Sequence, residues 1–150
     1  MPQSFTCLHY HIVFSTKDRR PTIAEDIRER IYKYIAGILN ENKSRLIAVG
    51  GMPDHVHLLV SVSKELSISD VLRVIKTNSS KWVHESFPQH LAFAWQAGYG
   101  AFAVSFSNLD TVKRYIANQE THHRRVDFKT EFMTLLTRHE IEFEEKYLWD

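Results

Sequence analysis

Arg45-Leu46-Ile47-Ala48-Val49-Gly50-Gly51-Met52-Pro53-Asp54-His55-Val56-His57-Leu58-Leu59-Val60-Ser61-Val62-Ser63 is the stretch on which the fold turns. Arg45–Val49 reads as a short strand, Gly50–Asp54 as a turn and His55–Ser63 as a second strand. The pair suggests a hairpin with a loop longer than the commonest two-residue type. Upstream, Cys7–Ser15 has the length and the aromatic and β-branched content of another strand. Between them Ile23, Ile27, Ile31, Ile35 and Ile38 recur at helical spacing to about Asn40, behind a Thr22–Glu25 capping box. Downstream, Ser67 and Asp70 open a second capped helix with Ile68, Val71, Leu72, Ile75, Trp82 and Val83 on one face.

Phe93–Phe106 reads as strand, turn, strand around Gly98 and Gly100. Two further helices run from about Asn108 to His122 and from about Lys129 to His139. The acidic end Glu140–Asp150 holds Phe143, Tyr147, Leu148 and Trp149, which suggests a docked tail. The order β-α-β-β-α-β followed by helices matches an α+β, ferredoxin-like (RRM-like) fold: an antiparallel sheet with helices on one face. The other sheet face and the edges are then expected to be free. Residues 1–150 are read as one domain, since no repeat, linker or low-complexity tract interrupts the chain.

Composition narrows the function classes. Hydrophobic residues make up 43% and charged residues 25%, a globular balance that excludes a disordered or fibrous chain. Lys and Arg number 19 against 18 Asp and Glu, so a nucleic-acid partner must meet local basic patches rather than a bulk field. The patches in view are Lys17, Arg19 and Arg20, then Lys113, Arg114, His122, His123, Arg124 and Arg125. Lys76, Asn78, Ser79, Ser80 and Lys81 offer a third polar strip on a helix, solvent-exposed or backbone-contacting. The lone Cys7 excludes an intramolecular disulfide. Met1–Phe5 lacks the pattern of a signal peptide and no run nears the ~20 apolar residues of a membrane span. A cytoplasmic protein without membrane contact is expected.

The unusual entry is histidine, with nine in the chain. In His55-Val56-His57, strand periodicity sends Val56, Leu58 and Val60 to one face and both imidazoles to the other, with Cβ atoms ~7 Å apart. Two imidazoles so placed can share a cation, and the same spacing also suits hydrogen-bonded histidines on a sheet surface. His9-Tyr10-His11 repeats the spacing, and spacing alone does not choose between the pairs. In the helix beginning near Asn108, Leu109, Val112 and Ile116 form the apolar stripe. Tyr115 lies at its edge, with Gln119 one turn later and Asn118 and His122 beside them.

Gly51–Leu59 resembles the His–hydrophobe–His signature of the single-tyrosine (HUH, TnpA-type) transposases of small bacterial and archaeal insertion sequences, a group that includes repeat-associated relatives. His11–Arg19 resembles that family's first strand and turn, Trp95–Phe102 its aromatic hairpin, and Tyr115–Glu120 the helix bearing its nucleophile. The resemblance implies Tyr115 as nucleophile and His55, His57 and Gln119 as ligands of Mg²⁺ or Mn²⁺. It implies cleavage and rejoining of single-stranded, hairpin-bearing DNA through a 5′-phosphotyrosine, in a homodimer with two active sites, composite in some members. No nucleotide cofactor is expected, as no phosphate-binding loop is present. A domesticated nickase on repeat hairpins and a non-catalytic nucleic-acid-binding module stand as alternatives. A zinc hydrolase is disfavoured, because no neighbouring Asp or Glu extends the His55–His57 run as a ligand ladder.

Overall fold

The hairpin at the centre of the chain is tighter than its sequence suggests. In the computed structural model, which describes residues 3–149, Met52 pairs with His55 and only Pro53 and Asp54 form the loop. Met1, Pro2 and Asp150, which the readings of the two chain ends include, lie outside the described residues. Gly50 and Gly51 therefore belong to a strand, β2 (Arg45–Met52), which runs into β3 (His55–Ser61). A Cβ on Gly50 would stand 2.5 Å from the Ile116 carbonyl oxygen, so the glycine lets a helix lie directly on the strand.

With β1 (His9–Ser15) and β4 (Gly100–Ala103), these strands form one antiparallel sheet in the order β2-β3-β1-β4, the ferredoxin-like arrangement. Helices α1 (Glu25–Glu41) and α2 (Ile68–Ser86) pack on one face. Ile12, Phe14, Val56, Leu58 and Val60 of the sheet meet Ile27, Ile31 and Ile35 of α1 and Val71, Leu72 and Ile75 of α2, all buried. The Ser67–Asp70 capping box forms as expected, whereas the Thr22–Glu25 box does not. Ile23 is fully buried and gives its N–H to the Pro53 carbonyl oxygen (2.9 Å). That anchor draws Thr22 out of the helix start, so Ala24 is the residue before α1.

The second sheet face is covered rather than open. The expected helix Asn108–His122 breaks at Asn118 into α3 (Leu109–Ala117) and α4 (Gln119–His122), and α5 (Phe128–Arg138) follows. Asp127 caps α5 by accepting from the Thr130 amide (2.9 Å). Val13 and Phe102 from the sheet join Phe128, Phe132, Leu135 and Leu136 in a second apolar cluster, against which Leu148 and Trp149 rest. Those two side chains dock the tail, while Ile141, Phe143 and Tyr147 stay exposed.

Phe93–Phe106 yields one short strand instead of two. Its first arm is held irregularly: Trp95 bridges Thr16, and Gln96 takes the Ser15 amide on its side-chain oxygen (2.6 Å). Lys76 Nζ reaches the carbonyl oxygens of Gln96 (3.0 Å) and Gly98 (2.7 Å). Lys76 is consequently no free cation and Ser79 is buried beneath the Trp95 indole, so of the expected strip Asn78 and Lys81 are exposed and Ser80 is half-buried. No helix among the described residues is long and apolar enough to cross a membrane.

Candidate active site

Period-two geometry on β3 puts His55 and His57 on the face covered by α3 to α5, where both are fully buried. His11 of β1 lies beside them, its Nε2 2.8 Å from His57 Nδ1 and the two rings stacked at 5.0 Å. The two histidine pairs therefore do not compete. His11 supports His57, while His9 turns toward Cys7 and Phe106.

The break at Asn118 lets α3 deliver Tyr115 and α4 deliver Gln119 to the same point. Gln119 Oε1 is 3.1 Å from His55 Nε2 and 3.0 Å from His123 Nε2. The Tyr115 ring stands 5.6 Å from that of His57, and its hydroxyl donates to Glu131 Oε2. Glu131, on α5, is 2% exposed and forms the hub. Its Oε1 lies 2.9 Å from His57 Nε2, 3.0 Å from His123 Nε2 and 3.4 Å from His55 Nε2. Its Oε2 also accepts from Gln119 Nε2 (3.1 Å). His122 Nε2 is 3.2 Å from the same oxygen but misaligned for a hydrogen bond, which leaves that nitrogen unpaired.

Sequence reasoning misses Glu131 and reads His123 only as part of a basic patch; no sequence neighbour extends the His55–His57 run as a ligand ladder, and Glu131 supplies the carboxylate instead. It does so from α5, remote in sequence. The available signal is an acid inside an apolar helical stripe, since Glu131 shares a face with Phe128, Phe132 and Leu135. A carboxylate is rarely buried unless paired.

Charge in the cluster follows from burial set against hydrogen bonding. Burial opposes ionisation of Glu131, but hydrogen bonds from His123, His55 and His57 outweigh it and hold the carboxyl well below its usual range. Burial also opposes charge on His55, yet its bonds to Asp54 and Glu131 raise it to about 9. His57 has no such surplus, and burial pushes it down to about 4. Burial, with His57 beside it, takes His11 to about 3. Burial and the Glu131 carboxylate raise the Tyr115 phenol above its ordinary range.

The donor set suits a divalent cation. One ligand atom each from His55, His57, His123 and Glu131 all lie within 4.8 Å of one another, and imidazole with carboxylate is a first-row transition-metal environment. A cavity of about 240 Å³ between His11, Phe102, Thr111, Tyr115 and Arg138 opens beside the phenol. Of the basic residues singled out from sequence, His123 and His122 enter the site, the His122 ring 5.4 Å from that of Tyr115. Lys113, Arg114, Arg124 and Arg125 stay exposed around it. Across the cluster, Arg19 lies over the Trp149 ring at 5.1 Å, while Lys17 and Arg20 are exposed.

Comparison with known proteins adds a second line of evidence. Residues 4–119 match the family model described as "Transposase IS200 like". The ISDra2 transposase TnpA of Deinococcus radiodurans is 26% identical over 117 residues, which are 75% of this chain and 84% of that one. The transposase for insertion sequence element IS200 of Salmonella typhimurium is 27% identical over 116 residues, covering 73% of this chain and 75% of the relative. Among solved structures, a Deinococcus radiodurans R1 protein assigned as a transposase superposes with a TM-score of 0.62 at 25% identity, over 79% of this chain and 98% of its own. A REP-associated tyrosine transposase bound to a REP hairpin superposes with a TM-score of 0.61 at 15% identity, over 84% and 74%, a likeness of fold.

Proposed function

The chain belongs to the IS200-like transposase family, and from that premise we propose that it cuts and rejoins single-stranded DNA at hairpin-marked ends, with Tyr115 as the nucleophile. One observation carries the reading: the Tyr115 phenol, His57 and Gln119 meet at a single buried carboxylate, with His55 alongside. His55, His57 and Gln119 are the groups we assign to Mg²⁺ or Mn²⁺, which supplies Lewis-acid polarisation of the scissile phosphate when bound.

Tyr115 Oη attacks phosphorus, forming the Tyr–O–P bond as the P–O3′ bond breaks. The products are a 5′-phosphotyrosine and a strand ending in a 3′-hydroxyl, which takes up a proton as it leaves. The phenolic proton has an acceptor in reach, Glu131 Oε2. A phenol held above its ordinary pKa stays protonated in the metal-free site, so attack requires added positive charge nearby. Because the covalent intermediate conserves a phosphodiester, a second 3′-hydroxyl reverses the step and joins new ends without a nucleotide cofactor. Lys17, Arg19, Arg20, Lys113, Arg114, His122, Arg124 and Arg125 are the groups we assign to the DNA, the exposed cations among them through the phosphates. The hairpin held by the REP-associated structural neighbour supports that substrate class.

The test incubates the protein with a library of single-stranded hairpin oligonucleotides and Mn²⁺, followed by denaturing electrophoresis. A denaturant-resistant protein–DNA species is expected. It should vanish in Tyr115→Phe while hairpin binding persists. Folded, metal-loaded protein that forms no adduct with any oligonucleotide would refute the assignment. Hairpin binding indifferent to chelation would then favour a non-catalytic module.

A further inference from the structure

Hydrogen-bond accounting in the buried cluster leaves a specific gap. His123 Nδ1 is 2.7 Å from the Val126 carbonyl oxygen, which only accepts, so Nδ1 carries the hydrogen and the neutral ring has a bare Nε2. His55 Nδ1 likewise donates to Asp54 Oδ1 (2.7 Å), which makes Nε2 the nitrogen it turns toward the cluster. Gln119 gives its Nε2 hydrogens to Glu131, which turns Oε1 toward the imidazoles. His123 Nε2 and His55 Nε2 thus both face the same two oxygens, Gln119 Oε1 and Glu131 Oε1, across 3.0–3.4 Å, and neither oxygen has a hydrogen to give the bare nitrogen of His123. Protonating both rings would place two cations face to edge at 4.5 Å inside the protein. One divalent cation, taking the place of the His55 Nε2 proton, satisfies both nitrogens and both oxygens together. His57 joins readily, because its Nδ1 can donate to His11 and so free Nε2.

We propose that His123 Nε2 and Glu131 Oε1 are ligands of the active-site cation, added to His55 and His57. The inference rests on the metal-dependent reading above and changes its composition. It gives the site three imidazoles and a carboxylate beside the Gln119 oxygen, which favours Mn²⁺ over Mg²⁺. Both added ligands lie beyond residue 119, where the match to the transposase family ends, so they are contributed by the segment this chain carries past that match.

The test is spectroscopic and needs no turnover. Pulsed electron paramagnetic resonance on the Mn²⁺-loaded protein should count three coupled imidazole nitrogens, falling to two in His123→Ala. Calorimetric titration with Mn²⁺ should show affinity reduced at least tenfold in Glu131→Gln and in His123→Ala, with circular dichroism confirming the fold. Should either variant fail to fold, the nitrogen count on wild-type protein still decides the matter. A count of two in wild type, or two folded variants within twofold of wild-type affinity, overturns the inference and leaves the His55–His57 site intact. Wild-type protein that takes up no Mn²⁺ overturns the inference and the metal-dependent reading together.

Discussion

Glu131, His55, His57 and His11 are four buried titratable groups whose ionisation opposes or supports folding in different pH ranges, so the metal-free protein carries their signature in its stability. His11 and His57 are held neutral, at about 3 and about 4. Below the unfolded imidazole value of about 6.5 the unfolded chain binds protons that the folded chain refuses, and stability falls with pH. His55 is raised to about 9, so its contribution is complete below about 6.5 and is lost as pH rises through 9. Glu131 is depressed, and its contribution disappears only in acid, below the ordinary carboxylate range. The slope is roughly 1.4 kcal/mol per pH unit for each group titrating only in the unfolded state. Melting temperature in chelator should therefore peak near neutrality and fall on both sides, and a flat profile from pH 5 to 9 would contradict this account. At this scale the sequence is partly legible. Period two reveals that His55 and His57 share a face, because strand geometry depends on nothing remote. Glu131 stays hidden because its partners are 74 and 76 positions away, and only tertiary packing joins them.

Elements were readable where they depend on local pattern and unreadable where a neighbour overrides it. The isoleucine spacing of α1 and the Ser67–Asp70 box of α2 are local features, and both form. Gly50 and Gly51 look like a turn, yet α3 lying on β2 turns Gly50 into a point of closest approach. Gly50→Ala sets a methyl 2.5 Å from backbone oxygen, which cannot swing aside as a side chain does. The helix that carries Tyr115 must then shift. Stability should drop by about 1–3 kcal/mol in urea titration, and covalent adduct formation should drop with it. Gly37 is the internal control. It lies in α1 with nothing within 4 Å of the added Cβ, so Gly37→Ala should raise stability by about 0.5–1 kcal/mol and leave adduct formation unchanged. If both substitutions behave alike, the close packing of α3 on β2 is not what positions the tyrosine.

For the whole molecule, the difference from expectation is that both sheet faces are covered. Val13, Leu59 and Phe102 are apolar on the histidine side, and burying them requires helices there too. Among the described residues, the sheet's edges, β2 and β4, are left without an outer strand partner. The resemblance to dimeric transposases allowed the tyrosine helix to serve a neighbouring chain. Here Tyr115 bonds Glu131 of its own chain, and its ring lies 5.6 Å from that of His57, so the side chains of one site meet within one polypeptide. Subunit mixing distinguishes the two arrangements. Tyr115→Phe lacks the phenol and His57→Ala lacks an imidazole, and each alone should form no adduct. If each chain builds its own site, every site in the mixture keeps one lesion, and co-refolded mixtures should stay inactive. If the tyrosine helix is exchanged between partners, a heterodimer assembles one intact site and one doubly damaged site. A quarter to a half of wild-type adduct formation would then return, and the arrangement within one chain would be refuted.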